Sequence, residues 1–170
     1  MKTTNIDAVA YIRELQEENA RFNLGPVIRT LGDPTFTLRF LAHSSQTRFT
    51  FNRVGTERIR TATATTIRYK EREPPTVVKL DGQDALSSGT MWIDAADGSV
   101  IRTNLRLRKP NSNEIAASVT VDFQQDRQLQ VWVPYRMTEQ YFARSGQTLI
   151  GSASYTNFRK FDTSVRVSVP

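Results

Sequence analysis

Arginine recurs at even positions between residues 102 and 108, and its guanidinium group is the main functional group of that stretch. Arg102, Arg106 and Arg108 follow Asp97-Gly98, a strong signal for a tight turn. Successive side chains of a β-strand point to opposite faces, so this spacing places the three arginines on one face. We expect further cations to join this basic face, which would consist of Arg68, Lys70, Arg102, Arg106, Arg108 and Arg136.

The basic face has two interpretations. As a functional surface, it would dock the protein on an anionic polymer or an anionic membrane, because guanidinium groups pair with phosphate and carboxylate oxygens. As a structural feature, it would be the solvated outer face of a sheet, where charges oppose edge-to-edge pairing. Proteins that bind single-stranded nucleic acid place aromatic rings among such charges. Here five aromatic residues of the strands occupy odd positions, opposite in parity to the arginines: Phe49, Phe51, Tyr69, Phe123 and Tyr135. No specific nucleic-acid partner is therefore expected.

Residues suited to catalysis are few. The chain contains no cysteine and a single histidine, His43, so a histidine-dependent site would rest on that residue alone. Asp94 and Asp97 flank a predicted turn, where aspartate usually accepts hydrogen bonds from the local backbone. No phosphate-binding loop, zinc-ligand spacing or nucleophile elbow occurs in the sequence. We therefore expect a non-enzymatic protein without a cofactor or a metal site.

Apolar residues occupy the odd positions of the region that carries the arginines. They are Met91, Ile93, Ile101, Leu105, Leu107, Ile115, Ala117, Val119, Val121 and Phe123. Alternation with a period of two predicts strands with one buried face and one wet face. With turns at Asp97-Gly98 and at residues 110–113, this pattern predicts an antiparallel meander.

The other predicted elements complete or cover this sheet. Residues 5–24 form the one clear amphipathic helix, and Asp33-Pro34 begins a short second helix. The sequence thus predicts a mainly β fold with α elements (α+β), built on an antiparallel sheet of about seven to nine strands. The helices would lie against its apolar face. We expect a single domain over residues 1–170, with residues 1–46 as a helical cover and residues 47–170 as the sheet.

Three local features of the strands are also predicted. Val54-Gly55-Thr56 is expected to be a turn, and residues 124–129 a polar loop. Trp132 and Pro134 fall on even positions of a strand whose other apolar residues are mostly odd. This change of parity predicts a β-bulge or a sheet edge.

Composition limits the partners and the compartment. The 170 residues carry a net charge of +6, which favours anionic partners without choosing among them. No run of about 18 apolar residues occurs, so a transmembrane helix is not expected. No charged and then apolar leader follows Met1, so no signal peptide is expected in this sequence.

One strand–turn–strand segment carries a family resemblance. The pattern Gly89-x-x-Trp92-Ile93-Asp94-x-x-x-Gly98-x-Val100-x-Arg102 resembles the signature of LolA/LolB-like lipoprotein carriers. Residues 131–137 and 153–159, and residues 20–30 before the sheet, resemble uncharacterised exported proteins of acidobacterial type. The resemblance implies a half-barrel with helices on its concave side, a periplasmic or otherwise exported location, and an acyl-chain cargo. Such carriers usually begin with an exported leader and further N-terminal elements. This sequence departs from that pattern, so we expect it to be the C-terminal domain of a longer exported protein.

The apolar face and this resemblance together predict a binding site. A carrier must leave a concave gap lined by large apolar groups. We expect the helix over residues 5–24 to act as a lid and the ligand to be an acyl chain or a lipoprotein. The predicted lining consists of Met91, Ile93, Leu105, Val119, Val121, Phe123 and Tyr135. The alternative is that these residues form a filled core. Ligand identity and oligomeric state stay open.

Overall fold

The structure is a computed structural model that describes residues 31–143 and 145–160. The predicted helix over residues 5–24 lies outside the described residues. Within them, two short helical segments precede nine strands. The segments are a 3₁₀ helix Phe36–Leu41 and α1 His43–Gln46; the strands are β1 Phe49–Ile59, β2 Ala62–Glu71, β3 Val78–Leu80, β4 Gln83–Ala85, β5 Ser87–Asp94, β6 Val100–Arg108, β7 Ile115–Asp126, β8 Val131–Phe142 and β9 Thr148–Ser154.

Seven of the strands form one antiparallel sheet in the order β1-β2-β5-β6-β7-β8-β9. The hairpin β3–β4 is a separate two-stranded unit inserted between β2 and β5. Asp81 and Gly82, its turn residues, both have positive φ (50° and 76°), as a two-residue hairpin turn requires. Each strand of the main sheet pairs with its neighbours in chain order apart from that insertion. The predicted antiparallel, mainly β meander is confirmed.

Burial follows the predicted parity in the central strands. In β6, Leu105 and Leu107 are buried, whereas Arg106 between them is exposed. In β7, Val119 and Val121 are buried, and Ser118 and Thr120 are half-buried. In these central strands one face of the sheet forms the main core, and the other is mostly polar. A second, smaller apolar cluster contains Ile59, Ala64 and Ile101, with Trp92 packed against it.

A 3₁₀ helix packs on the apolar face at the start of the sheet. Phe40 stacks on Phe49 with ring centroids 4.5 Å apart and meets Tyr69 edge-on at 5.6 Å. The Asp33 carboxylate accepts hydrogen bonds from the Thr35 backbone N–H (2.8 Å) and the Thr35 hydroxyl (2.7 Å). The short helix predicted after Asp33-Pro34 is thus present, but it is a 3₁₀ helix that begins at Phe36.

The observed strands correct two local predictions and confirm one. Val54-Gly55-Thr56 is not a turn: β1 continues to Ile59, and its register with β2 shifts between Arg53 and Gly55. Residues 124–126 are not a loop, because β7 extends to Asp126. The predicted bulge in β8 is confirmed, since the register with β7 shifts where Phe123 pairs with Pro134.

The β1–β2 turn contacts strands that are not its neighbours in the sheet. The Arg60 Nη2 atom donates a hydrogen bond to the Phe123 carbonyl at 2.9 Å, and the guanidinium lies 4.9 Å from the Tyr135 ring centroid. In the sheet, β5 and β6 separate β2 from β7. A flat sheet would therefore hold β2 and β7 about 14 Å apart. Bending brings the tip of the β1–β2 hairpin across to the distant strands.

We predict that Gly89→Ala lowers the free energy of unfolding by about 1–3 kcal/mol, the usual cost of overpacking a core. An added methyl group would collide with the Asn104 carbonyl and lie 2.7 Å from the Tyr69 hydroxyl oxygen. Urea denaturation measures the change. Ser88→Ala, on the neighbouring half-buried position, is the control and should shift stability by less than about 0.5 kcal/mol. Equal losses in the two variants would contradict this account.

Candidate functional site

Five of the seven predicted lining residues come together on the apolar face. Met91, Leu105, Val119, Val121 and Phe123 are all buried, with at most 5% of any of them exposed, and they belong to one core cluster. They lie on three consecutive central strands, β5, β6 and β7, at positions of one parity. Cross-strand partners such as Leu105 and Val119 stack directly opposite one another.

The other two predicted lining residues lie apart from this cluster. Ile93 is half-exposed next to the bulge that shifts the β5–β6 register between Trp92 and Ile93. Tyr135 is half-exposed beside the bulge in β8, where its ring faces Arg60. At Tyr135, the extra residue of the β8 bulge, the alternation that simple parity assumes is interrupted. Ile93 keeps its register with β2 and lies near the end of β5, away from the core cluster. A lining role for these two residues stays a prediction.

Polar groups are also buried on the apolar face. Glu71, with no exposed surface, accepts hydrogen bonds from the backbone N–H groups of Val77 (2.7 Å) and Ser87 (3.0 Å). Arg48 Nη2 lies 3.8 Å from the same carboxylate and also donates to the Pro75 carbonyl. The carboxylate therefore ties the start of β1, the β2–β3 connection and the start of β5 to one point. No apolar periodicity could reveal this role, because the bonded backbone groups belong to distant segments.

A second buried carboxylate, Glu139 on β8, lies on the same face. The Tyr141 hydroxyl is 3.4 Å from its Oε1 atom. On β6, the buried Thr103 hydroxyl has no hydrogen-bond partner among the described residues, and the same holds for the Ser87 hydroxyl. The apolar face thus contains polar groups that a purely apolar core would lack.

Two clefts open at the end of the sheet where the β3–β4 hairpin meets the β6–β7 turn. The larger, of about 720 Å³, extends from Leu80 across that turn to the end of β8, and its wall includes Ala116, Ala117 and Tyr141. The smaller, of about 540 Å³, lies between Pro74 and the same turn. Ala117 and Tyr141 belong to the core cluster, so the larger cleft adjoins the apolar face directly.

Hydrogen bonds fix the two walls shared by these clefts. On the hairpin, the Asp84 carboxylate accepts from the Thr76 backbone N–H (2.8 Å) and the Lys79 ammonium (3.1 Å), and these donors hold the pKa of Asp84 below its ordinary value. On the turn, Lys109 Nζ lies 2.7 Å from Glu114 and lowers the pKa of that carboxyl in the same way.

The predicted basic face is on the outer side of the sheet, but its six cations differ in their surroundings. Arg102 forms an ion pair of 2.5 Å with Asp122 and lies 5.9 Å from the Trp92 ring. Arg108 donates to the Asn113 side chain at 3.2 Å. Arg136 is exposed and lies directly opposite Asp122 in the register of β7 and β8. The three remaining cations are exposed on β2 and β6: Arg68, Lys70 and Arg106.

Residues 31–143 and 145–160 contain no cluster of three or more histidine, cysteine, aspartate or glutamate side chains that could hold a metal ion. None of their helical segments has the length and apolar character that spanning a lipid bilayer requires. His43 is exposed in α1. Comparisons with protein-family models, curated proteins and solved structures find no match.

We predict that Glu71→Gln lowers the free energy of unfolding by about 1–3 kcal/mol. The amide keeps one acceptor oxygen but turns N–H groups towards the donors of Val77 or Ser87, and it removes the charge that faces Arg48. Thermal or urea unfolding measures the loss. Glu73→Gln removes an exposed carboxylate two residues away and should change stability by less than about 0.5 kcal/mol. Indistinguishable midpoints for the two variants would refute the anchoring role.

Tyr69 provides a prediction at alkaline pH. Burial, and secondarily the negative charge of Glu71, raises the pKa of its phenol far above the ordinary value of about 10. The folded-state pKa exceeds the unfolded one, so this group's contribution to stability is complete below about pH 10 and is lost as the pH rises further. Tyrosinate absorbance should show Tyr69 ionising only when the protein unfolds. Tyr69→Phe should flatten the alkaline decline in stability; an unchanged slope would contradict the assignment.

Proposed function

We propose that the protein is a non-enzymatic binding protein that holds an apolar chain, an acyl chain or the lipid of a lipoprotein, against the apolar face of its sheet. The observation that carries this proposal is the cleft of about 720 Å³ whose wall contains Ala117 and Tyr141 of the core cluster. Small-molecule sites are concave, mostly apolar and of about 300–1,000 Å³, which matches this volume.

The surroundings of the cleft support entry of a chain at this end of the sheet. Leu80, Ala116 and Phe142 add apolar surface to its wall. Ala117 and Val119 lie on the same face of β7, so a chain that enters past Ala117 is directed along the apolar face. Lys109 and Glu114 form a polar rim at the mouth. Asp81, Gln83 and Ser112 add further polar groups to the lining. We expect this mixture of apolar and polar groups to suit an amphiphile.

The finer architecture belongs to the same proposal. The reach of Arg60 from the β1–β2 turn to Phe123 supports a half-barrel, since it requires a strongly bent sheet. In that arrangement the helix predicted over residues 5–24 would cover the concave face. The sequence resemblance to LolA/LolB-like carriers adds an exported, periplasmic setting, in which such a protein would carry lipid between membranes.

A fluorescent fatty acid tests the proposed function. We predict that the wild-type protein takes up the probe and that Ala116→Phe weakens uptake by about tenfold, because the phenyl ring occupies space in the cleft that the chain needs. Ala116 is half-buried, lies in the cleft wall and is the extra residue of β7 where the register with β6 shifts.

Ala95→Phe is the matched control, since Ala95 is exposed in the β5–β6 turn at the other end of the sheet. It should bind the probe as the wild type does. Circular dichroism establishes that both variants are folded. Absence of uptake by the wild-type protein would refute the function, and unchanged uptake by Ala116→Phe would refute this cleft as the entry.

A further inference from the structure

We infer that the outer face of the sheet binds an anionic polysaccharide through two rows of side chains that run across the strands. The rows contain Arg68, Lys70 and Arg106 together with hydroxyl and amide groups. This surface lies on the opposite side of the sheet from the apolar face, so the inference is independent of the proposed function.

The first row combines two cations with hydroxyl groups. Strand pairing aligns Lys70 with Ser88, Ser88 with Arg106, Arg106 with Ser118, and Ser118 with Gln140. Lys70 and Arg106 are therefore two strands apart, or about 10 Å at ordinary interstrand spacing. The row ends at the exposed Ile150 of the edge strand β9, beyond its basic part.

The second row lies two residues further along each strand. It contains Arg68, Thr90, Asn104, Thr120, Thr138 and Ser152. The Asn104 Nδ2 atom donates to the Ser118 hydroxyl at 3.2 Å and to the Thr120 hydroxyl at 3.0 Å. Because these hydroxyl oxygens accept from the amide, their own hydrogens are free to donate to a ligand.

The charges of this patch are not neutralised within the described part of the chain. Arg68, Lys70 and Arg106 are exposed, and no carboxylate of the described residues lies within salt-bridge distance of them. The Arg102–Asp122 pair lies in the adjacent row and leaves the patch itself positive. A polymer with regularly repeated anionic groups complements three exposed cations about 7–12 Å apart.

The neutral groups between and beside the cations favour a sugar polymer over other polyanions. Each of Ser88, Thr90, Thr120 and Thr138 can both donate and accept, as ring hydroxyls can. The two rows between β2 and β8 contain no aromatic ring on which a nucleic-acid base could stack. Between the same strands they contain no large apolar side chain to enter a bilayer.

Binding to polygalacturonate, a carboxylated polysaccharide, tests the charged groups. Arg68→Gln, Lys70→Gln and Arg106→Gln should each weaken binding about two- to fivefold, the effect of one exposed ion pair, and the triple variant about tenfold or more. Arg127→Gln, in the exposed β7–β8 turn, is the matched control and should bind as the wild type does. Added salt should weaken wild-type binding. Wild-type affinity in the triple variant would overturn the inference.

Two uncharged hydroxyl groups of the second row, those of Thr120 and Thr138, allow a sugar ligand to be distinguished from other polyanions. Thr120→Val and Thr138→Val keep the shape and the charge of the face, and they should weaken polygalacturonate binding while leaving inorganic polyphosphate binding unchanged. Equal binding of polygalacturonate by these variants and the wild type would overturn the assignment to a polysaccharide. So would wild-type binding to phosphatidylglycerol vesicles or single-stranded oligonucleotides without binding to polygalacturonate.

Discussion

The burial of every second side chain along the central strands is the constraint on which the rest of the structure depends. A slip of one residue in β6 would expose Leu105 and Leu107 and force Arg106 into the core. The same slip would break the cross-strand pairing of both neighbouring strands, because β6 lies in the middle of the sheet. Burial on one face therefore fixes the strand register, and the register in turn determines which residues are neighbours on the outer face.

Those parts of the fold that depend on local alternation could be predicted from the sequence. The odd positions of β5, β6 and β7 carry the buried apolar residues, and Asp97-Gly98 turns the chain with Gly98 at a φ of 78°. The even parity of Trp132 and Pro134 indicated the bulge in β8. The signals were sufficient because each lies within a few residues of the feature it specifies, as the side-chain period of a strand does.

Other features could not be predicted, since they arise from contacts between distant segments. Gly55 marks a bulge inside β1 rather than a turn, and only pairing with β2 distinguishes the two cases. Glu71 looks like an ordinary charged residue at the end of a strand, but its partners are the backbone of Val77 and Ser87. Arg60 reaches across three interstrand steps because the sheet bends. The cleft is equally nonlocal, as three separate connections form its walls.

The positive charge of the outer face shows why composition is an incomplete guide to binding. In the sequence, the six cations of the predicted basic face look equivalent. In the structure, the Arg102 charge is largely compensated by Asp122, whereas Arg68, Lys70 and Arg106 are exposed. These three come from two strands that are not adjacent, so only the register brings them into one patch. Each strand thereby serves two surfaces: in β6, Leu105 contributes to the core while Arg106 faces solvent. A substitution at Arg106 changes the charge of the outer face without opening a cavity in the core. A smaller residue at Leu105 opens a cavity in the core and leaves the charge of the outer face unchanged. The two proposed binding surfaces can therefore be altered separately by mutation.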